Sequence, residues 1–159
     1  MEGATSVLRE AVEDDVPALV QLLADDRLGA ARDGSTCEAD LQPYLRAFRE
    51  IDADPAHLLL VVVQHGEVVA TLQLSVLPGL ARRGARRGAR RAQVEAVRVR
   101  PDCRGRGLGA ALFGWAVAEA RRRGCALVQL TTDRSRADAH RFYERLGFVA
   151  SHEGLKLHL

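Results

Sequence analysis

Hydrophobic residues along the chain recur with two periods, and these periods predict helices and strands. A period of three to four residues predicts an amphipathic helix, whereas alternation or a short apolar run predicts a strand. Two stretches near the amino terminus have the helical period. Their stripes consist of Val16, Leu19, Val20 and Leu23, and of Leu41, Tyr44, Leu45 and Phe48. Asp40 is the expected N-cap of the second helix, Pro43 lies in its first turn, and residues 28–36 form a loop between the two helices.

Strands are predicted on both sides of these helices. Residues 7–12 can form an edge strand, and the continuous apolar run from Leu58 to Val63 is typical of a strand covered on both faces. His65-Gly66-Glu67 provides a tight turn into residues 68–76, whose apolar and other side chains alternate between the two faces of a strand.

The second half of the chain repeats the order of strand, helix and strand. An apolar strand beginning at Gln93 leads to a helix from Leu108 to Arg123, which stops at Gly124. The stripe of this helix is Leu108, Ala111, Leu112, Trp115 and Ala118. A strand over residues 126–131 follows, and then a helix that Gly147 ends, with a stripe of Ala139, Phe142, Tyr143 and Leu146. The tail, residues 148–159, is expected to form a final hairpin centred on Gly154. This order predicts an α/β sheet with mixed strand directions.

Length and composition narrow the class of protein. A chain of 159 residues is expected to form one domain over residues 1–159. The apolar run from Leu58 to Val63 is far shorter than the roughly 20 residues of a membrane span, and residues 1–12 lack the pattern of a secretory signal. We therefore expect a cytoplasmic protein that does not bind membranes.

Neither cysteine nor histidine spacing indicates a metal site. Cys37, Cys103 and Cys125 are odd in number and form no close pair, so they are expected to be reduced thiols. The spacing of His140, His152 and His158 matches no known ligand pattern. No metal is therefore expected.

One segment is strongly basic although the formal net charge of the chain is only +2. Residues 81–91 carry six arginines and no acid, with a glycine at every fourth position. Glycine at these intervals weakens any helix, so we expect a flexible, solvated loop. It could attract an acidic substrate, phosphates or nucleic acid, or it could have no specific partner.

The most informative stretch connects the strand that ends at Val99 to the helix that begins at Leu108. Its residues are Arg104, Gly105, Arg106, Gly107, Leu108 and Gly109. The three glycines have no Cβ, so the backbone can curl and turn several N–H groups toward one anion. The helix adds its unpaired N–H groups and the positive end of its dipole, and the two arginines add charge. This stretch is expected to bind phosphate.

The Arg104-x-x-Gly107-x-Gly109 spacing resembles the acyl-CoA pyrophosphate loop of the GNAT superfamily, the coenzyme-A-dependent N-acetyltransferases. Residues 136–148, Arg-Ala-Asp-Ala-His-Arg-Phe-Tyr-Glu-Arg-Leu-Gly-Phe, are similar to a second motif of that family, a helix that carries a catalytic tyrosine. The resemblance implies a mixed, mostly antiparallel central sheet of about seven strands, flanked by about four helices and containing a splayed central strand pair. Because family members are often dimers, it also implies a homodimer.

The resemblance further implies acetyl-CoA as co-substrate and assigns roles to individual residues. Tyr143 would protonate the departing coenzyme A thiolate, and Glu95 would accept the proton of the amine through water. The strand residues Val97, Arg98 and Val99 would line the pantetheine arm, with backbone hydrogen bonds from Val97 and Val99. The backbone of residues 104–109 would bind the pyrophosphate. Arg136 occupies a position where members often have an asparagine near the coenzyme.

Each assignment has an alternative. Tyr143 could be a core tyrosine, and Glu95 could form a salt bridge with one of the many arginines. Residues 131–159 are similar to aminoalkylphosphonate N-acetyltransferases, which favours a small amine as acceptor, but protein amino termini and lysines stay open.

Two other classes of function compete with acetyl transfer. Gly105-x-Gly107-x-x-Ala110 also fits a dinucleotide fingerprint, which would indicate an NAD-binding oxidoreductase. That fingerprint should follow its strand at once, whereas residues 100–104 intervene here. A nucleic-acid binder that uses the arginine segment is disfavoured, because the segment lacks aromatic residues on which bases could stack.

Overall fold

In a computed structural model the chain divides into two compact units, residues 1–129 and 130–159. The structure describes residues 5–25, 38–81 and 86–159, without the side chains of residues 38 and 39. The loop predicted over 28–36, Cys37 and the first part of the arginine segment lie outside the described residues. The prediction of a single domain over 1–159 stays a prediction.

The described part of the first unit contains one five-stranded sheet and three α-helices. The strands are β1 Val7–Glu10, β2 His57–Gln64, β3 Glu67–Leu77, β4 Arg90–Val99 and β5 Cys125–Leu130, of which only the last residue belongs to the second unit. The helices are α1 Val16–Ala24, α2 Glu38–Ala53 and α3 Leu108–Arg122. The strands lie in the order β1-β2-β3-β4-β5, and β1 to β4 pair antiparallel.

The sheet is mixed, as the sequence predicts, and α3 connects β4 to β5. Although β4 and β5 are neighbours in the sheet, they contact each other over much less of their length than β3 and β4 do.

Burial on both faces places β2 and β3 at the centre of the core, and in β3 it includes the polar Thr71 and Ser75, which the predicted alternation assigned to the other face. Leu60, Val61 and Val62 of β2 are all at most 5% exposed, which confirms a strand covered on both faces. On one face Val61 packs with residues of α1 and α2, among them Val16, Val20 and Phe48. The helix α3 packs against β3 and β4.

The helices differ from the predictions in how they face the core. Leu22 of α1 is buried in place of Leu23, and α3 buries Phe113, Ala116 and Ala120 with Leu112, whereas Ala111 and Ala118 are exposed. The helix α3 carries alanines on several of its sides, so the period of its apolar residues does not determine which face is buried. The helix α2 already includes Glu38, so Asp40 is not its N-cap and Pro43 lies beyond its first turn. These details of the prediction were wrong.

A partly buried ion pair connects β1 to the start of α1. Both guanidinium NH₂ nitrogens of Arg9 donate to Asp15, at 2.6 and 3.0 Å, and the main-chain N–H of Val12 donates to the same carboxylate at 2.8 Å. These three donors hold the pKa of Asp15 below its ordinary value. The carboxylate thereby satisfies an N–H at the start of the helical segment.

The second unit contains α4, Ala137–Arg145, at the position that the sequence predicts. The hairpin predicted over residues 148–159 is wrong, because those residues form no strand. Val149, Leu155 and Leu157 are 80%, 94% and 86% exposed. Their alternation suits a strand, but a strand requires a hydrogen-bonded neighbour and a surface to bury one face. The described sheet consequently has five strands where about seven were expected.

Among the described residues no helix combines the length and the hydrophobicity that crossing a membrane demands.

Candidate active site

A charged cluster positions the turn between β4 and α3. Arg100 follows β4 and donates to Asp102 at 2.7 and 3.0 Å and to Glu67, at the start of β3, at 2.7 Å. These hydrogen bonds raise the pKa of Arg100 and lower the pKa of Asp102. A short 3-10 turn, Pro101–Cys103, begins here and buries the Cys103 side chain. The cluster therefore ties the turn to the tip of the β2–β3 hairpin.

The glycines of the turn adopt the left-handed conformation that the predicted anion loop requires. Gly105 has φ +74° and Gly107 has φ +81°, and Gly107 is the N-cap of α3. A Cβ at either position would meet nothing within 4 Å, so the requirement for glycine comes from the dihedral angle and not from crowding. Residues 104–107 are exposed, and Leu108 and Gly109 lie in the first turn of α3.

The start of α3 leaves main-chain donors unpaired within the helix. The first intrahelical hydrogen bond runs from the N–H of Ala111 to the carbonyl of Gly107 at 2.9 Å. The preceding helical N–H groups have no intrahelical acceptor, which is general for the first turn of a helix. Arg104 braces the turn, because its Nε donates to the Val99 carbonyl at 3.0 Å.

The strand β4 contains a β-bulge next to Glu95. In the β3–β4 ladder Gln73 faces Glu95 and Thr71 faces Arg98, so β4 has one residue more than β3 over this interval. Ala96 lies in the extra interval with φ +52°, an uncommon conformation for a residue with a side chain. A bulge bends its strand and leaves the extra residue outside the ladder. No glycine marks this position in the sequence.

Glu95 faces solvent, so its carboxylate is not buried. The salt bridge that was its alternative role is not found between Glu95 and any arginine of the described residues. Glu95 shares a sheet face with polar side chains of the neighbouring strands. Gln73 faces Glu95 directly, and Ser75 faces Gln93.

Two side-chain hydrogen bonds extend this polar face across four strands. The Nε2 of Gln129 on β5 donates to the Oε1 of Gln93 at 2.8 Å. Ser75 Oγ lies 2.8 Å from Nδ1 of His57 on β2. On the opposite face of β4, Ala92 and Val94 are fully buried. The sequence shows this alternation of polar and apolar residues, but it does not reveal which strands are neighbours.

The predicted pantetheine residues follow the bulge. Val97, Arg98 and Val99 are half-buried. The Val97 carbonyl accepts a hydrogen bond from Arg98 Nη1 at 2.8 Å, and the Val99 carbonyl accepts the one from Arg104. Each carbonyl oxygen has a second lone pair, so these contacts leave acceptor capacity.

Tyr143 and Arg136 belong to the second unit. Arg136 precedes the first residue of α4, and its carbonyl accepts the N–H of His140 at 3.1 Å. Tyr143 is half-buried, and its ring packs edge-on against Phe142 and Phe148 with centroid distances of 5.4 and 6.0 Å. These contacts support the packing role that was the alternative for Tyr143, and they also fix the direction of its ring.

The described part of the arginine segment contacts the carboxyl end of α3. Arg86 and Arg90 lie 3.4 Å from the carbonyls of Gly124 and Arg123. Cations are favourable at this end of a helix because the last carbonyls carry partial negative charge. Part of the segment therefore has a structural role, which differs from the purely solvated loop predicted.

A cavity of about 230 Å³ in the first unit is lined by none of the predicted site residues. Its walls include Phe48, Asp54, His57 and Arg123. Nε2 of His57 lies 3.7 Å from the Asp54 carboxylate. No group of three or more metal-ligating side chains occurs among the residues that the structure describes.

Comparison with known proteins gives one consistent family. Residues 17–148 match the family described as Acetyltransferase (GNAT) family. The chain is 33% identical over 115 residues to the aminoalkylphosphonate N-acetyltransferase of Salmonella typhimurium, which covers 72% of this chain and 71% of that protein.

Solved structures repeat the fold over nearly the whole chain. A Bacillus halodurans C-125 protein described as a transcriptional regulator is 44% identical, with a TM-score of 0.90 over 98% of this chain and 100% of that one. A Trypanosoma brucei acetyltransferase is 25% identical, with a TM-score of 0.75 over 98% of this chain and 100% of that one.

Proposed function

Because the chain belongs to the GNAT acetyltransferase family and is an acetyl-CoA-dependent acyltransferase, we propose that it acetylates the primary amine of a small molecule. The observation that carries the proposal is the position of an exposed carboxylate, Glu95, on the strand that also leads into the glycine turn of α3. One strand would thereby align the acetyl donor with a group that accepts the proton of the amine.

The glycine turn fits the diphosphate of acetyl-CoA. Gly105 and Gly107 bend the backbone so that the amides of the turn and of the first turn of α3 can face one anion. Arg104 and Arg106 add positive charge at the exposed surface of the turn. Leu108 and Gly109 contribute main-chain N–H groups, and Val97, Arg98 and Val99 would line the pantetheine arm. Acetyl-CoA supplies an activated thioester.

Glu95 would act on the acceptor amine. A primary amine with a pKa near 10.4 is almost fully protonated at neutral pH, and freeing its lone pair costs roughly 4–5 kcal/mol. Glu95 takes this proton through an ordered water. The nitrogen then forms a bond to the thioester carbon, and negative charge develops on the carbonyl oxygen. As the amide forms, the nitrogen loses its second proton to solvent. The bulge at Ala96 supports a main-chain donor here, since its N–H groups are displaced from the β3 ladder.

Tyr143 would complete the reaction as a general acid. When the carbon–sulfur bond breaks, its hydroxyl gives a proton to the departing thiolate and later regains one from solvent. The edge-on contacts with Phe142 and Phe148 support this role because they hold the ring in one direction. Arg136, just before α4, would contact the coenzyme.

The acceptor proposed is a small amine that carries an anionic group. Support comes from the Salmonella relative, whose name specifies an aminoalkylphosphonate. The alternatives of a protein amino terminus or a lysine, and of a homodimer, stay open as expectations.

A role in DNA binding has one specific observation in its favour, the description of the Bacillus halodurans structure as a transcriptional regulator. A helix-turn-helix requires two helices joined by a turn of three to four residues. Among the described residues no two helices are joined by a turn of that length. Acetyl transfer is therefore the better supported function. The NAD-binding alternative is disfavoured because the 3-10 turn separates β4 from the glycines.

The proposed function is tested by an acetylation screen. Purified protein is incubated with acetyl-CoA and a panel of amines, amino acids and peptides, and released thiol is measured. We expect turnover with small amines, and a loss of at least tenfold in kcat, about 1.4 kcal/mol, for Tyr143→Phe and for Glu95→Gln.

The control is Tyr44→Phe, which alters a tyrosine of the α1–α2 core cluster and should leave kcat unchanged. Turnover confined to peptides would contradict the small-molecule acceptor. Unchanged kcat in both site variants would show that the two proton-transfer roles are wrong.

A further inference from the structure

The side chain of Arg91, near the start of β4, contains a buried nitrogen atom, Nε. Its Nε is shielded from solvent and has no hydrogen-bond partner among the described residues. The Nε of Arg98, on the same strand, is buried in the same way, and Nη1 of Arg98 donates to the Val97 carbonyl, whereas Arg90 donates to the Arg123 carbonyl. A buried donor without an acceptor destabilises the folded protein, and the effect is larger when the group is charged. An acceptor from a bound ligand would remove this effect.

The face of the sheet that carries Arg91 also carries Glu95. Residues 91, 93 and 95 alternate with the buried Ala92 and Val94, and the bulge begins only after Glu95. The α-carbons of Arg91 and Glu95 are about 13 Å apart along an extended strand. The long arginine side chain shortens this gap. An amine held near Glu95 therefore leaves room for a short spacer and a terminal group that reaches the guanidinium.

Gln93 lies between these two residues and favours an anion in the same place. Its Oε1 accepts the hydrogen bond from Gln129, so its own NH₂ group remains a donor for a ligand. Ser75 faces Gln93 across the β3–β4 ladder. A ligand that extends from Glu95 toward Arg91 thus passes an amide donor before it meets the cation.

Resting on the proposed acetyl transfer, we propose that Arg91 binds the anionic group of the acceptor: a phosphonate, phosphate or carboxylate joined to the amine by a short spacer. The guanidinium is planar and always charged, and it binds such oxyanions through two parallel N–H donors. Gln93 donates a further hydrogen bond. Arg91 is then a specificity-determining residue, which holds the far end of the acceptor while Glu95 accepts the proton at the near end.

The test compares matched acceptors in matched variants. Initial rates of thiol release are measured for aminomethyl-, aminoethyl- and aminopropylphosphonate and for ethylamine and propylamine, with wild type, Arg91→Gln, Arg91→Lys and Arg87→Gln. Arg87 is an exposed arginine of the basic segment and serves as the control.

We expect Arg91→Gln to lower kcat/KM for the preferred phosphonate at least tenfold, chiefly through KM, and to change the rate with the neutral amines less than threefold. Arg91→Lys keeps the charge and should retain part of the affinity, and Arg87→Gln should behave as wild type. An equal loss with charged and neutral amines would overturn the assignment and indicate a general structural effect. Phosphonate kinetics unchanged by Arg91→Gln would also overturn it and would leave acetyl transfer intact.

A wild-type protein that acetylates none of these amines would refute the proposed function instead. Calorimetric titration with aminoethylphosphonate then tests whether Arg91 binds the anionic group. Binding that Arg91→Gln weakens at least tenfold supports the anion site, and binding that is absent or unchanged in the variant refutes it.

Discussion

The Gly107→Ala variant can distinguish the effect of backbone strain on stability from the effect of the turn on coenzyme binding. Gly107 has φ +81° at the N-cap of α3, and a Cβ there would meet nothing within 4 Å. The added methyl group therefore causes no clash, and the expected penalty is that of a left-handed L-residue, about 1–2 kcal/mol. For a chain of this length each kcal/mol lowers Tm by roughly 2–4 °C.

The effect on acetyl-CoA binding should be larger than this strain. The αL conformation turns the backbone so that the amides of the turn can face a phosphate. If alanine relaxes the dihedral angle, at least one charge-assisted hydrogen bond is lost, worth about 1.5–3 kcal/mol. This corresponds to a rise in Kd of roughly 10- to 100-fold. Isothermal titration calorimetry with acetyl-CoA measures the Kd, and thermal unfolding without ligand measures the stability.

Gly124 provides the matched control at the other end of the same helix. It has φ +74°, and a Cβ there would also meet nothing within 4 Å. The helix α3 has 15 residues, so Gly124 lies more than about 20 Å from Gly107. Gly124→Ala should lower Tm by a similar amount and leave the Kd within twofold of wild type. A destabilised Gly107→Ala variant that binds acetyl-CoA with the wild-type Kd would show that the turn does not bind the coenzyme.

Two further substitutions test the support around the site. Glu119, whose side chain is 11% exposed, accepts hydrogen bonds from Arg122 and Arg123 at 2.6–2.8 Å, and its pKa is lowered from 4.5 to about 2. At 1.36 kcal/mol per pKa unit, these ion pairs contribute at most about 3.4 kcal/mol to the free energy of unfolding. Since Arg122 is 69% exposed, we expect a contribution of about 1–2 kcal/mol. A carboxylate whose pKa is lowered by folding stabilises the fold at pH values above its unfolded pKa. In urea titrations the stability difference between wild type and Glu119→Gln should therefore be complete at pH 7 and disappear as the pH falls from 4.5 toward 2. A difference that persists at pH 2 would contradict the ion pair. Ala96→Val places a β-branched residue at φ +52° and should lower Tm and reduce kcat at least tenfold, whereas Ala96→Gly should keep the fold; equal kcat in both variants and wild type would separate the bulge from catalysis.

Local sequence signals predicted the elements that they directly control. Gly124 stops α3 and Gly107 starts it, because only glycine takes a positive φ without cost, and both positions agree with the structure within a residue. The apolar run of β2 could be assigned to a strand covered on both faces because no polar residue interrupts it.

Features that depend on tertiary contacts could not be read from the chain. The bulge at Ala96 results from the register between β3 and β4, and an alanine gives no local signal for a positive φ. The alternation of Leu155 and Leu157 predicted a strand, but a strand also needs a partner, and the tail is exposed. The ionic environment of Glu95 likewise depended on which arginines lie near it.

The roles of Tyr143 and Arg136 rest on motif similarity and stay predictions. Their helix was predicted correctly, since the stripe of Phe142, Tyr143 and Leu146 is periodic. Periodicity gives the same signal for a packed tyrosine and for a catalytic one. The edge-on ring contacts are compatible with both.

The shape of the turn before α3 depends on backbone dihedral angles, whereas the polar face of β3 and β4 depends on which side chains the strands carry. Mutation can exchange Gln73, Ser75 or Gln93 without altering a φ value at Gly105 or Gly107. A saturation library confined to the strand face should therefore yield enzymes that prefer other acceptors. Their affinity for acetyl-CoA should be unchanged. Duplicated copies of such a gene can diversify in nature by the same route.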